Sequence, residues 1–111
     1  MRTNKKDEVK LKMTINDIRN GDSLTIILEG RLDTLSSPEL DEYLAKYYAS
    51  ITDLTFDLEK LDYLSSSGLR VILKAQKAMQ DKGGVLIRHA NKLVMGVFSV
   101  TGFDSILRFE K

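Results

Sequence analysis

The chain has 111 residues, a length that suggests one domain with a single hydrophobic core. Hydrophobic residues make up 42% and charged residues 30%, the balance of an ordinary soluble globular protein. With 17 basic and 16 acidic side chains, the formal charge of +1 provides no general attraction for nucleic acid or an anionic membrane, and neither is expected as a partner.

The sequence lacks the signals of several further classes of protein. There is no cysteine, which excludes disulfides and thiolate metal sites. The longest apolar runs are far too short to cross a bilayer, and no charged-then-apolar leader precedes a cleavage site. We therefore expect a cytoplasmic protein.

Residues 1–10 are polar and rich in lysine, with no sustained periodicity. This composition predicts a flexible N-terminal tail. We expect the remaining residues, 11–111, to form one domain.

The first part of the predicted domain has the pattern of a β-hairpin. Leu11, Met13 and Ile15 alternate with polar neighbours, and a second apolar run covers residues 24–28. The segment between them, residues 20–23, consists of turn-forming residues. We predict two antiparallel strands joined at this turn.

The chain then leaves the second predicted strand at residues 29–33, where Gly30 fits a bend or a close backbone approach. A helix is predicted to start shortly afterwards. Ser36 can cap it, Pro38 suits its first turn, and Glu39 can complete a capping box with Ser36. The apolar stripe of this helix is formed by Leu40, Tyr43, Leu44 and Tyr47.

The second half alternates strands and helices. The patterns predict strands at residues 54–58, 85–88 and 105–109, a helix that ends near residues 82–84, and a helix from Asn91 to Gly102. Strand, helix, strand, helix, strand in succession implies parallel pairing through right-handed crossovers. The predicted fold class is α/β: a mixed, mostly parallel β-sheet with an antiparallel N-terminal hairpin and three to four helices.

The segment Asp62–Arg70 contains three consecutive serines, Ser65, Ser66 and Ser67, followed by Gly68. It lies where a strand passes into an amphipathic helix. One serine there would serve as an N-cap. A helix N-terminus also presents free N–H donors and the positive end of a dipole, which suit a phosphate carried by a serine. From these residues alone, a simple cap is the first interpretation and a phosphorylation site the second.

Two catalytic or phosphate-binding patterns are incomplete. Gly83–Gly84 is not followed by lysine and serine or threonine at the offset of a phosphate-binding loop, so a turn is predicted. A serine hydrolase would require the only histidine, His89, to reach one of residues 65–67. A surface or capping role for this histidine is the favoured prediction, and the protein is not expected to be an enzyme.

A cluster of carboxylates is a further candidate site to consider. Asp33, Asp57 and Asp62 all lie near predicted strand ends and could form a cluster close to the serines. Carboxylates at strand ends usually cap or are solvated. We therefore predict neither a metal site nor a cofactor.

Three short motifs resemble the STAS family, and specifically the bacterial anti-sigma factor antagonists. They are residues 30–34 (GRLDT), residues 61–69 (LDYLSSSGL) and residues 101–103 (TGF), in that order. The resemblance extends over about residues 13–110.

The resemblance implies that the unmodified protein binds an anti-sigma factor that is also a serine kinase of the histidine-kinase-like ATPase type, and so frees a sigma factor. Phosphorylation of one serine would stop this binding, and a serine phosphatase is a further implied partner. The alternative within the family is a constitutive scaffold or a transport-associated module that is not phosphorylated. A small serine hydrolase is the alternative from another class.

The family motif implies that the phosphorylated residue is the serine two places before the glycine, which is Ser66. An aspartate usually precedes this serine, and Ser65 replaces it here, so Ser65 and Ser67 are secondary candidates. Asp33 matches an aspartate that contributes to partner recognition in the family. The predicted partner-binding residues are Asp33, Ser65, Ser66, Ser67, Gly68 and Arg70.

Arg70 lies four residues after Ser66, a helical spacing that would bring its guanidinium within reach of a phosphate. Arg70, Lys74 and Lys77 also form a basic helix face. This face is a second candidate for partner contact, with a solvated surface as the favoured interpretation.

Overall fold

The computed structural model describes residues 13–110, and the predicted tail and Leu11 lie outside this range. Five strands form one sheet in the order in which they occur in the chain. They are β1 (Thr14–Asn20), β2 (Ser23–Leu32), β3 (Asp53–Leu64), β4 (Val85–Arg88) and β5 (Arg108–Phe109). The α-helices are α1 (Ser37–Ala45), α2 (Ser66–Ala78) and α3 (Lys92–Thr101).

The predicted fold class is confirmed. β1 and β2 form an antiparallel hairpin, and the pairs β2/β3, β3/β4 and β4/β5 are parallel. Each of the parallel connections contains one α-helix, because parallel neighbours cannot be joined by a tight turn. None of the helices in residues 13–110 has the length and apolar character needed to cross a membrane.

β2 and β3 supply the centre of the core. Leu24, Ile26 and Leu28 alternate with partly exposed residues on β2, and Leu54 and Phe56 do the same on β3. All five side chains are almost completely excluded from solvent. Their alternation is the sequence signal from which both strands were predicted.

Both central strands are longer than predicted, and the prediction that the chain leaves β2 at residue 29 is wrong. β3 contains one residue more than β2 at each of two irregularities, one opposite Ile27–Glu29 and one opposite Gly30–Arg31. Each extra residue is a β-bulge, which shifts the inward face of β3 by one position. The buried residues of β3 therefore continue at Leu61 and Leu64, three residues apart, and period-two alternation ends although the strand does not.

The predicted capping box at α1 is also wrong. Pro38 lies in the first turn as predicted, but Ser36 makes no side-chain bond that caps the helix. Its hydroxyl instead donates to the carbonyl oxygen of Arg31 at 2.7 Å and accepts from the N–H of Asp33 at 2.9 Å. Ser36 thus stabilises the turn before the helix rather than the helix end.

The caps of α3 are as predicted. The Asn91 side chain accepts a hydrogen bond from the Val94 N–H at 2.9 Å, and Gly102 ends the helix in the left-handed conformation. Asn91 also donates to the Leu61 carbonyl oxygen at 2.9 Å, which ties the start of α3 to β3. The last strand is shorter than predicted, because residues 103–105 form a 3₁₀ turn.

Gly68, in the first turn of α2, lies directly against the end of β2. A Cβ atom at this position would be 2.6 Å from Leu32 Cγ and 2.8 Å from the Leu32 carbonyl oxygen. Such distances are well inside van der Waals contact. The absence of a side chain therefore lets α2 begin close to the sheet.

We predict that Gly68→Ala lowers the free energy of unfolding by about 1–3 kcal/mol, the usual cost of overpacking. Urea unfolding measures this change. Gly96→Ala is the matched control, because a Cβ there would meet no atom within 4 Å. In the interior of α3 it should stabilise the protein by about 0.5–1 kcal/mol, and equal effects at both sites would contradict the steric explanation.

Candidate functional site

The candidate site forms where β2 and β3 end. These parallel strands pair Leu32 with Leu64 at their last positions, so the two following loops start side by side. The Ser65 N–H donates to the Leu32 carbonyl oxygen at 2.9 Å, which continues the strand pairing into the loop. The residues after each strand, Asp33 and Ser65, are thereby brought to the same edge of the sheet.

The three serines have different environments. Ser65 is the N-cap of α2, and its hydroxyl accepts from the Gly68 N–H at 3.2 Å. The Ser67 hydroxyl lies 3.3 Å from that of Thr34. Ser66 is exposed, and no hydrogen-bond partner is found for its hydroxyl among residues 13–110. The structure therefore leaves Ser66 as the accessible, unengaged hydroxyl of the three.

Asp33 organises the turn between β2 and α1. Its Oδ1 accepts from the N–H of Leu35 at 3.0 Å and from the N–H of Ser36 at 3.1 Å, and Arg31 Nε is 3.7 Å from Oδ2. Burial by itself raises the pKa of Asp33, but these hydrogen bonds and the guanidinium together hold it below its ordinary value. The carboxylate is therefore ionised at neutral pH and shapes the turn.

Arg31 joins the turn to β3. Its guanidinium carbon lies 4.1 Å from the ring centroid of Tyr63, the residue opposite it across the two strands, in a cation–π contact. The bulge opposite Gly30–Arg31 creates this pairing, because it shifts Tyr63 into register with Arg31. Sequence reasoning therefore missed the pair.

Arg70 is exposed, one helical turn after Ser66. It borders a shallow cleft of about 290 Å³ between α1 and α2, together with Thr34, Ser37, Pro38, Asp41, Ser67 and Val71. The helix thus carries its first cationic side chain beside the serines.

All three residues of the predicted basic face of α2 are exposed, and one of them forms an ion pair. The Lys74 ammonium lies 3.0 Å from Asp41 Oδ1 and 3.1 Å from Oδ2, an ion pair that links α2 to α1. Lys77 is exposed. Lys74 therefore forms an exposed ion pair between the two helices, a contact that the charge pattern of α2 alone could not reveal.

His89 does not approach the serines. Its Nδ1 is 3.2 Å from Asp57 Oδ1 and 3.5 Å from Glu59 Oε1. The serines follow Leu64 at the end of β3, and Asp57 lies seven residues before Leu64 on the same extended strand. The imidazole beside Asp57 is therefore about 20 Å from the serines. The described residues thus contain no serine–histidine pair of the kind that the hydrolase alternative requires.

The carboxylate cluster considered from the sequence does not form as a unit, because Asp33 contacts Leu35, Ser36 and Arg31 whereas Asp57 contacts His89. Asp57, Glu59 and His89 do offer three potential metal ligands within 4.8 Å of one another. The hydrogen bond between the imidazole and Asp57 and the nearby Glu59 carboxylate account for this proximity. Nothing in their arrangement requires a metal ion.

Comparison with known proteins gives a consistent result. The family model described as "Mlab, STAS domain" matches residues 15–108. BtrV of Bordetella bronchiseptica, provisionally named an anti-sigma factor antagonist, is 32% identical over 98 residues, which cover 86% of this chain and 83% of BtrV.

Three solved structures, two of them of the same protein, show the same fold. An anti-sigma factor antagonist from Mycobacterium paratuberculosis superposes with a TM-score of 0.81 at 18% identity, covering 88% of this chain and 85% of its own. The antagonist SpoIIAA in its unphosphorylated form gives 0.77 at 17% identity, with 88% and 89% covered. SpoIIAA of Bacillus in its phosphorylated form gives 0.70 at 16% identity, with 88% and 92% covered.

The family match extends over nearly all described residues and agrees with the identity to BtrV and with the shared fold. The chain belongs to the STAS domain family.

Proposed function

We propose that this protein is an anti-sigma factor antagonist that binds an anti-sigma factor with serine kinase activity and so releases a sigma factor. Phosphorylation of Ser66 ends the binding, and a serine phosphatase restores it. The protein has no catalytic activity of its own and acts in the cytoplasm, where sigma factors meet RNA polymerase. The contact surface is centred on Asp33, Ser65, Ser66, Ser67, Gly68 and Arg70.

The observation that carries this proposal is the difference between the serines. A kinase must reach a free hydroxyl, and Ser66 is exposed without a hydrogen-bond partner in the described part of the chain. Ser65 is engaged as a cap, and Ser67 contacts Thr34. The geometry therefore supports the acceptor that the family motif implies.

The replacement of the usual aspartate by Ser65 is compatible with this role. Aspartate and serine are both good N-caps, and Ser65 makes the capping bond to Gly68. The replacement therefore keeps the helix start while it removes a negative charge beside Ser66. A kinase for this protein must accept a neutral residue before the phosphorylated serine.

The relatives support the same role. BtrV and the Mycobacterium protein carry the name of anti-sigma factor antagonists, and SpoIIAA is described in an unphosphorylated and a phosphorylated form. Physically, a phosphate adds nearly two negative charges to the contact surface. Its desolvation then opposes association with a partner.

The first test is intact and peptide mass spectrometry after incubation with ATP and the purified ATPase-type anti-sigma factors of the source organism. We expect one added phosphate on Ser66, absent from Ser66→Ala, and loss of kinase binding once it is attached. Ser67→Ala is the matched control and should still accept the phosphate.

Two results would contradict the switch. A phosphate on Ser65 or Ser67 in the wild type would show that Ser66 is not the phosphorylated residue. Binding that is tight and identical in the wild type and Ser66→Ala, with no phosphate on either, would instead favour the constitutive scaffold or transport-associated module.

A second prediction concerns Arg70. Because it follows Ser66 by one helical turn, its guanidinium should pair with phosphoserine 66 and lower the second pKa of the phosphate. Arg70→Ala should raise that pKa in a phosphorus NMR titration while it changes the free energy of unfolding of the unphosphorylated protein by less than about 0.5 kcal/mol.

Lys77→Ala is the control for this prediction, since Lys77 is exposed on the same helix but three turns from Ser66. It should leave the phosphate pKa unchanged. A phosphate pKa that is the same in Arg70→Ala and in the wild type would rule out the intramolecular pair.

A further inference from the structure

The turn that Asp33 organises presents a leucine to solvent. The Leu35 side chain is 90% exposed, although its backbone N–H is bonded to Asp33 Oδ1 at 3.0 Å. The turn therefore uses the backbone of Leu35 and not its side chain. Any residue that tolerates this conformation would serve the fold, so the fold does not explain an apolar side chain here.

The turn is held from several directions. The Ser36 hydroxyl donates to the Arg31 carbonyl oxygen at 2.7 Å, and the Ser37 N–H donates to the Asp33 carbonyl oxygen at 2.8 Å. A side chain presented on a fixed backbone loses little conformational entropy on binding. Leu35 is thus a preorganised apolar contact point.

Leu35 is linked to the proposed phosphorylation site through the turn on which it lies. The preceding residue, Thr34, contacts Ser67 through their hydroxyls at 3.3 Å, and Ser67 follows Ser66. Other exposed large apolar side chains lie on other elements: Ile18 on β1, Tyr63 on β3 where Arg31 stacks on its ring, Leu93 and Val100 on α3, and Ile106 before β5. Among the described residues, Leu35 is the one on the turn that contacts the start of α2.

We infer that Leu35 is the apolar anchor through which this protein binds its anti-sigma factor, and that it inserts into a hydrophobic pocket on that partner. The inference rests on the proposed function. Arg31, stacked on Tyr63, and the partly exposed Asp33 form the polar edge of the contact. An apolar centre with a polar edge is the usual composition of a protein interface.

This arrangement also explains why a phosphate on Ser66 ends binding. Insertion of Leu35 excludes water from the adjoining surface, which includes the first turn of α2. A phosphate on Ser66 would have to lose part of its hydration in the same complex. Insertion of Leu35 into the partner and phosphorylation of Ser66 are therefore incompatible, because both involve the same surface.

The test compares the affinity of five proteins for the purified anti-sigma kinases of the source organism, by titration calorimetry. They are the wild type, Leu35→Ser, Leu35→Met, Ile18→Ser and Val100→Ser, the last on the exposed surface of α3. If the leucine side chain is fully buried in the complex, Leu35→Ser should lower the affinity by about 10- to 100-fold. Leu35→Met should bind within about threefold of the wild type, because it conserves apolar volume.

Ile18→Ser is the matched control. Ile18 is 59% exposed, and it pairs with Thr25, seven residues or about 20 Å along β2 from Leu32. It should bind like the wild type. Urea unfolding should show the same stability for Leu35→Ser and the wild type, which separates a lost contact from a disturbed turn.

The outcomes distinguish the inference from the proposed function. If the wild type binds a kinase and Leu35→Ser binds equally well, the anchor is overturned and the proposed function remains. If Val100→Ser weakens binding and Leu35→Ser does not, the contact lies on α3 and the anchor is again overturned. If the wild type binds none of the kinases, the proposed function fails and the anchor with it.

Discussion

The site depends on the close approach of α2 to the end of β2. Ser65 extends the pairing of β2 and β3 through its hydrogen bond to the Leu32 carbonyl oxygen, and Gly68 lies where a Cβ atom would overlap Leu32. Because the helix begins so close to the sheet, its first turn meets the turn that follows β2. The serines and Asp33 adjoin for this reason.

The polar groups at this junction, where the turn after β2 meets the first turn of α2, have different roles. Asp33 and Ser36 stabilise the turn, and Ser65 caps the helix, so these groups are largely engaged inside the molecule. Ser66, Leu35 and Arg70 are exposed on the same junction. The engaged groups fix the backbone, and the exposed ones are thereby held in position without further ordering, which favours the partner contact proposed above.

The β-bulges of β3 connect the fold to this surface. Each adds one residue to β3 relative to β2, and the second brings Tyr63 opposite Arg31. The guanidinium then lies on the Tyr63 ring and within 3.7 Å of Asp33, which helps to hold the pKa of that carboxyl low. A local irregularity of the sheet thus contributes to the charge and shape of the candidate site.

The sequence by itself determined the α/β class, the hairpin, the caps of α3 and the serine-headed helix, because each depends on local periodicity or on one capping side chain. Only the tertiary structure decided the rest. It showed that β3 continues through its bulges, that Lys74 pairs with Asp41 and that His89 meets Asp57. It also showed that, of the three consecutive serines, Ser66 is the one whose hydroxyl has no hydrogen-bond partner in residues 13–110. Strand register and contacts between distant segments set these features, and neither leaves a periodic signal in the sequence.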